Sequence, residues 1–142
     1  MVSFQAKLSA GLSRLGYEVC YDLADLPYQS VLIIGGTSSL SGLCRARRAG
    51  VRVVQRLNGM NWIHRKRSTG VKHFLRAEYG NMVLSSIRRW LAEAIVYQST
   101  FSYAWWERVY GTTRQPWTVI HNGVDLGIYT PEGEHERPAD RL

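Results

Sequence analysis

The sequence predicts an α/β fold: a doubly wound, mainly parallel sheet with helices on both faces. Three observations carry that reading. Nearly unbroken apolar runs, SVLII and VRVVQRL among them, have the composition of strands buried on both sides. Stretches of helical period alternate with these runs, which is the order of βα units. The carboxyl end of each run then turns polar or glycine-bearing, as the rim of a parallel sheet does.

The elements follow in order. Phe4, Leu8, Leu12 and Leu15 stand at helical spacing, and Gly16 occupies the position of a closing C′ glycine. YEVCYDL, Tyr17–Leu23, reads as a first strand, ADLP as a short loop, and SVLIIGG as the second strand. SSLSGLCRARRAG is a short basic helix with a serine N-cap and terminal Gly50. VRVVQRLNG is the third strand, and MNWIHRKRSTG has turn residues and charge without a period, so it is a loop. From Leu75 the apolar positions Tyr79, Met82, Val83, Ile87, Trp90, Leu91 and Ala94 mark one long amphipathic helix, with Gly80 tolerated inside it. Tyr79 and Trp90 fall on its apolar stripe and are expected in the core. AIVYQS is a fourth strand, TFSYAWWERVYG a helix ended by Gly111, and WTVIHNG a fifth strand. PEGEHERPADRL is a polar tail.

The chain has 142 residues, enough for one domain with a real core, and its apolar share of 45% is ordinary. Its charge is not, since 18 Lys and Arg against 11 Asp and Glu leave +7. The imbalance is local. Leu26 to Ala77 contains no acidic residue, while Arg45, Arg47, Arg48, Arg52, Arg56, Arg65, Lys66, Arg67, Lys72 and Arg76 fall inside it. Such a field attracts phosphates, anionic headgroups or nucleic acid. Cys20 and Cys44 have no metal spacing, and their apolar settings make them small buried hydrophobes rather than a disulfide. No run approaches a membrane span and no signal-peptide core precedes Phe4, so a cytoplasmic setting is expected. Nucleophile elbows, P-loops and Cys/His metal clusters are absent, and GGTSS lacks the lysine of a P-loop.

Ligands of parallel sheets sit beyond the carboxyl ends of the strands. Those ends nominate Gly35, Gly36, Arg56, Asn58, Gly59, Gln98, Ser99, Asn122 and Gly123 as substrate-binding positions, with Arg56 the candidate anion clamp. Asp125 joins them as an acceptor for backbone N–H groups of the turn that follows Asn122-Gly123. The alternative is that these residues are ordinary turn formers with no ligand.

TVIHNGVDLGIYTP, residues 118 to 131, resembles the vIpNGVDlxxFxP segment of retaining glycosyltransferases of family 4, which have the two-domain GT-B fold. AEAIVYQSTFSYAWWERVYG is similar to that family's AD-x-vi-x-x-S strand and helix, GVRVVQRLNG to its g-x-pvVvTxHG strand, and LSAGLSRLGYEV to its first helix leading to GHEV. The resemblance implies a Rossmann-like acceptor-side domain over residues 1–131 and a polar tail, 132–142, leading towards a nucleotide-sugar domain that is absent here. It implies a hexosyltransferase-like enzyme that moves a sugar from a nucleotide sugar to a glycan or lipid-linked acceptor, in polysaccharide biosynthesis for example. The donor is a substrate, so neither cofactor nor metal is implied. The paired donor-side glutamates belong to the other half, and no catalytic residue can be carried over. These residues alone are therefore expected to be inactive in transfer.

Two departures matter. Asn58 stands where the family often has histidine, and asparagine does not titrate near neutral pH. His64 and His121 could substitute, or could be plain loop and rim histidines. The family's first strand and glycine-rich loop would precede Phe4, so the first strand is expected to be missing, and an unpaired sheet makes an aggregation-prone chain. Two other classes stay open: a basic nucleic-acid-binding module stacking bases on Trp62, Phe74 and His73, and an α/β interaction domain without catalysis. Nucleic acid is disfavoured because Tyr79 and Trp90 read as core. The acid-free stretch with Trp62 could also touch an anionic leaflet, such as the inner face of the plasma membrane.

Overall fold

A computed structural model of the chain describes residues 4–37, 39–67 and 70–123. Four strands form one all-parallel sheet: β1 (Ser30–Ile34), β2 (Arg52–Leu57), β3 (Ala94–Tyr97) and β4 (Trp117–Val119), in the order β1-β2-β3-β4. Four helices accompany them: α1 (Phe4–Arg14), α2 (Leu40–Arg48), α3 (Val71–Ser86) and α4 (Thr100–Tyr110). A single 3-10 turn, Ile63–Arg65, precedes α3, and a π turn, Ile87–Leu91, follows it. The molecule is a Rossmann-like, mainly parallel α/β domain.

Register shows how the two faces are used. Ile33 pairs with Gln55, Gln55 with Ile95, and Ile95 with Trp117, so these residues form one row across the sheet. Two buried clusters lie on this face. Ile33 and Val53 meet Leu43 of α2 and Ile87 of the π turn, while Leu57, Ile95 and Tyr97 meet Trp106 of α4. Neighbouring residues of a strand point to opposite faces. Gln55 donates from Nε2 to the Leu84 carbonyl of α3 at 3.1 Å, whereas Arg56 lies under the Phe4 ring of α1 at 3.9 Å. Helices therefore flank both faces. The α1 side is the thinner layer, since no residue of α1 is buried.

Buried polar bonds tie the helices down. Arg88 is almost fully enclosed; it donates from Nε to the Tyr97 hydroxyl at 2.9 Å, and from Nη2 to Glu107 and to the Gly111 carbonyl. Asn81 of α3 and Asn61 exchange two bonds, at 3.1 and 2.7 Å, pinning the loop after β2.

Several expectations need correction. Tyr17–Leu23 is not a strand, so the sheet has four strands where five were expected. The segment turns on its own acids instead: the Asp22 carboxylate accepts from the Ala24 N–H at 2.9 Å, and Asp25 accepts from the Asp22 N–H at 3.3 Å. Among the described residues β1 is consequently an edge strand. The long helix starts at Val71 rather than Leu75, and its last turn is π. Tyr79 and Trp90 are exposed, at 62% and 66%, not core. The core side of α3 carries the small or polar Ala77 and Asn81 instead. Ser39 stands at the α2 N-cap without a side-chain cap bond. The cysteines are free, as read, but Cys20 is exposed and Cys44 only half-buried, because the strand that would have enclosed Cys20 does not form. The Gly16, Gly50 and Gly111 stops hold, each with a positive φ that closes its helix.

Candidate functional site

The site is built on the carboxyl ends of the strands, beginning with β2. Arg56 is its buried centre, and its side chain leaves the sheet on the α1 face. Nη1 donates to Asn58 Oδ1 at 2.8 Å, and Nη2 donates to Asn122 Oδ1. Asn58 follows β2 and Asn122 follows β4, so the guanidinium bridges two strand ends. Gly35 closes β1 beside them: its N–H bonds the Arg56 carbonyl at 3.2 Å in a backbone with φ of 80°. That conformation suits glycine and strains other residues.

Asn58 is fixed from behind. Its carbonyl accepts from Ser102 Oγ at 3.0 Å and from Trp106 Nε1 at 2.9 Å, both on α4. Ser99 caps that helix, its Oγ accepting the Ser102 N–H at 3.0 Å, so its hydroxyl already has a structural role. Gln98 is placed by its N–H, which bonds the Leu57 carbonyl at 3.1 Å. Gly36 backs onto Leu84 of α3, and a Cβ there would sit 3.4 Å from it. Gly59 and Gly123 are exposed at the same rim, and Asp125 lies outside the described residues.

Electrostatically the centre is a cation seeking a partner. Burial lowers the Arg56 pKa from its ordinary value, because the charged form loses hydration. Among the described residues its polar side-chain partners are two neutral amides, and no carboxylate pairs with it. Two of its five N–H donors are engaged there. The arrangement can hold an anion with the guanidinium fork and offer the Nδ2 groups of Asn58 and Asn122 to neighbouring oxygens.

An aromatic cluster lies on α4 and the loop after β2. Phe101 stacks on Trp105 with centroids 5.9 Å apart, and Trp62 meets Trp105 edge-on at 6.2 Å. Phe101 and Trp62 keep much of their surface in solvent. Aromatic density in YAWW was visible in the sequence, but the pairing of Trp62, in the loop after β2, with Trp105 of α4 was not. Phe4 over Arg56 was missed as well, since its period marks it only as helix face.

The two histidine candidates separate. His121 is exposed beside Asn122. His64 is buried away from the crevice, with Nε2 2.7 Å from Glu78 Oε1, and Arg65 grips both oxygens of Glu78 at 2.5 and 2.7 Å. Among the described residues no group of three His, Cys, Asp or Glu side chains could hold a metal ion. Two open concavities, of about 380 and 290 Å3, flank α2 rather than this rim. No helix among the described residues is long and apolar enough to cross a membrane.

Fold and rim together define a Rossmann-like α/β domain with a buried arginine bridging two of its strand ends. No family model, no curated protein and no solved structure matches the chain.

Proposed function

We propose that the chain is the acceptor-side half of a sugar-transferring enzyme, holding a glycan or lipid-linked acceptor while a nucleotide sugar is presented from a second half. The observation that supports this most is the buried Arg56 guanidinium, bridged by Asn58 and Asn122 and lacking a carboxylate among the described residues. A buried charge without a counter-charge is costly, and a phosphate oxygen pair matches its fork. The amide Nδ2 groups are suited to hydroxyl or phosphate oxygens beside it. The Trp62–Phe101 cluster supplies an apolar surface for a sugar ring face or a lipid chain. The sequence NGVD, at residues 122–125, agrees in residue pattern with the family it resembles.

In this reading the described residues bind and orient. The acceptor hydroxyl oxygen bonds the anomeric carbon as the bond from that carbon to the nucleoside diphosphate breaks; the hydroxyl proton passes to the leaving diphosphate, which is stabilised from the donor side. Arg56 anchors the acceptor's phosphate. Asn58 orients a hydroxyl but moves no proton.

The test is binding of a sugar pyrophosphate to the chain, followed by tryptophan fluorescence, with inorganic phosphate and single-stranded RNA as comparisons. Saturable binding of the sugar pyrophosphate, weakened at least tenfold in Arg56→Lys with an unchanged circular dichroism spectrum, is expected. Binding that ignores Arg56, or RNA binding that depends on Arg56 while the sugar pyrophosphate does not bind, would reject the proposal.

A further inference from the structure

The outward face of α3 is apolar where an ordinary domain surface is polar. Val71, Leu75, Tyr79 and Met82 are 77%, 61%, 62% and 56% exposed. At 100° per residue they fall within about 80° of arc, one continuous stripe along the helix. The opposite side of the same helix supplies the buried Ala77 and Asn81, so the stripe is turned away from the sheet. Nothing among the described residues covers it.

Charge decides what could. Lys72 and Arg76 are exposed along one border of the stripe, and Lys66 and Arg67 are exposed in the turn before the helix. Trp62 and Ile63, both exposed, stand at the start of that turn. Between Trp62 and Met82 the single acid is Glu78, and its carboxylate is taken by Arg65 and His64. An apolar stripe with a basic border and aromatic residues at its margin is the pattern of a helix that lies in a bilayer interface. A second copy of the chain would bring like charges together at the same stripe, and a nucleic acid would use the cations while leaving the stripe in water.

We propose that α3 docks this chain flat on an anionic bilayer, with Val71, Leu75, Tyr79 and Met82 entering the interface and Lys66, Arg67, Lys72 and Arg76 meeting the headgroups. The inference is independent of the sugar-transfer reading, because it uses none of the crevice residues and its test involves no saccharide.

Co-sedimentation of the full chain with vesicles of phosphatidylcholine alone, and with about a third phosphatidylglycerol, tests it. Two double variants separate the contributions, each at exposed positions that carry no core contact: Lys72→Gln with Arg76→Gln, and Leu75→Asn with Met82→Gln. Binding to the anionic vesicles alone is expected, with roughly 30-fold loss in the first variant. At least tenfold loss is expected in the second, whose charge is unchanged. Equal binding to both vesicles, or to neither, overturns the proposal. An unaffected Leu75→Asn, Met82→Gln variant overturns it by making the contact purely electrostatic. A dimer of the unaltered chain that this variant dissociates overturns it in favour of a second copy.

Discussion

Asn122 gives its side-chain oxygen to the guanidinium of Arg56 across 66 residues of chain, joining the rims of β4 and β2. The bond explains how a buried arginine survives in a parallel sheet without a carboxylate beside it among the described residues. Hydrogen bonds to a charged group contribute about 1.5–3 kcal/mol each. Asn122→Ala is therefore expected to destabilise the chain by about that amount in urea melts. Pyrophosphate should raise the melting temperature of the unaltered chain and recover part of the loss in the variant, since an anion replaces the missing oxygen. Equal pyrophosphate shifts in the unaltered chain and in Arg56→Met would remove the clamp from the explanation.

The Arg88–Glu107 pair is a second buried cation with a different role. Arg88 joins the π turn to β3, to α4 and to Gly111, and it lies away from the crevice. Removing one partner strands the other, at about 3–5 kcal/mol. Glu107→Ala and Arg88→Met should each cost that much. The double variant should cost clearly less than their sum, with vesicle and pyrophosphate affinity per folded molecule unchanged. Additive losses would show that the two residues do not act as a pair.

The exposed edge of the sheet has its own consequence. β1 is an edge strand among the described residues, and Leu32 in it is 38% exposed, with neither charge nor proline in Ser30–Ile34 to block pairing. The chain is expected to associate through this edge as concentration rises. Leu32→Lys should reduce light scattering on heating while leaving the far-ultraviolet spectrum intact. No change in scattering would place the association elsewhere.

What was legible follows from which interactions are local. The runs 30–34, 52–57, 94–97 and 117–119 are dense in β-branched and aromatic residues, and glycine stops follow α1, α2 and α4, so those elements could be read directly. Tyr17–Leu23 has strand composition too, but a strand needs a ladder partner, and periodicity carries no information about whether one exists. Asp22 and Asp25 then offered the backbone a local alternative. α3 shows a related limit. Its expected stripe divides: Val83, Ile87 and Leu91 do pack on the core, whereas Leu75, Tyr79, Met82 and Trp90 face solvent, and Ala77 and Asn81, which completes its bonds with Asn61, are the buried residues of α3 itself. At the rim, strand ends nominated Arg56, Asn58 and Asn122, and these do converge. The amide bridge that joins them depends on strand order, which no local pattern encodes.

The last expectation concerns acid. Glu78 is the point where the 3-10 turn is fastened to α3, through Arg65 and His64. Bonds from Arg65 first, and then from His64, hold its pKa down to about 2, against 4.5 for a free carboxyl. A carboxyl whose folded pKa lies below its unfolded one stabilises the fold above the unfolded value, and that contribution fades as pH falls through the folded value. The window is thus from about pH 5 down to about pH 2. The ion pair is partly solvated, so its contribution is about 1 kcal/mol, the upper end for an exposed pair. Glu78→Gln should lose that stability at neutral pH and show a correspondingly flatter decline between pH 5 and pH 2. Because the turn carries Lys66 and Arg67 to the border of the α3 stripe, the variant should also bind anionic vesicles more weakly although it has lost a negative charge. Urea melts across this pH range and the same co-sedimentation assay read both effects. Stronger vesicle binding by Glu78→Gln would mean that net charge, not the position of the turn, governs the contact.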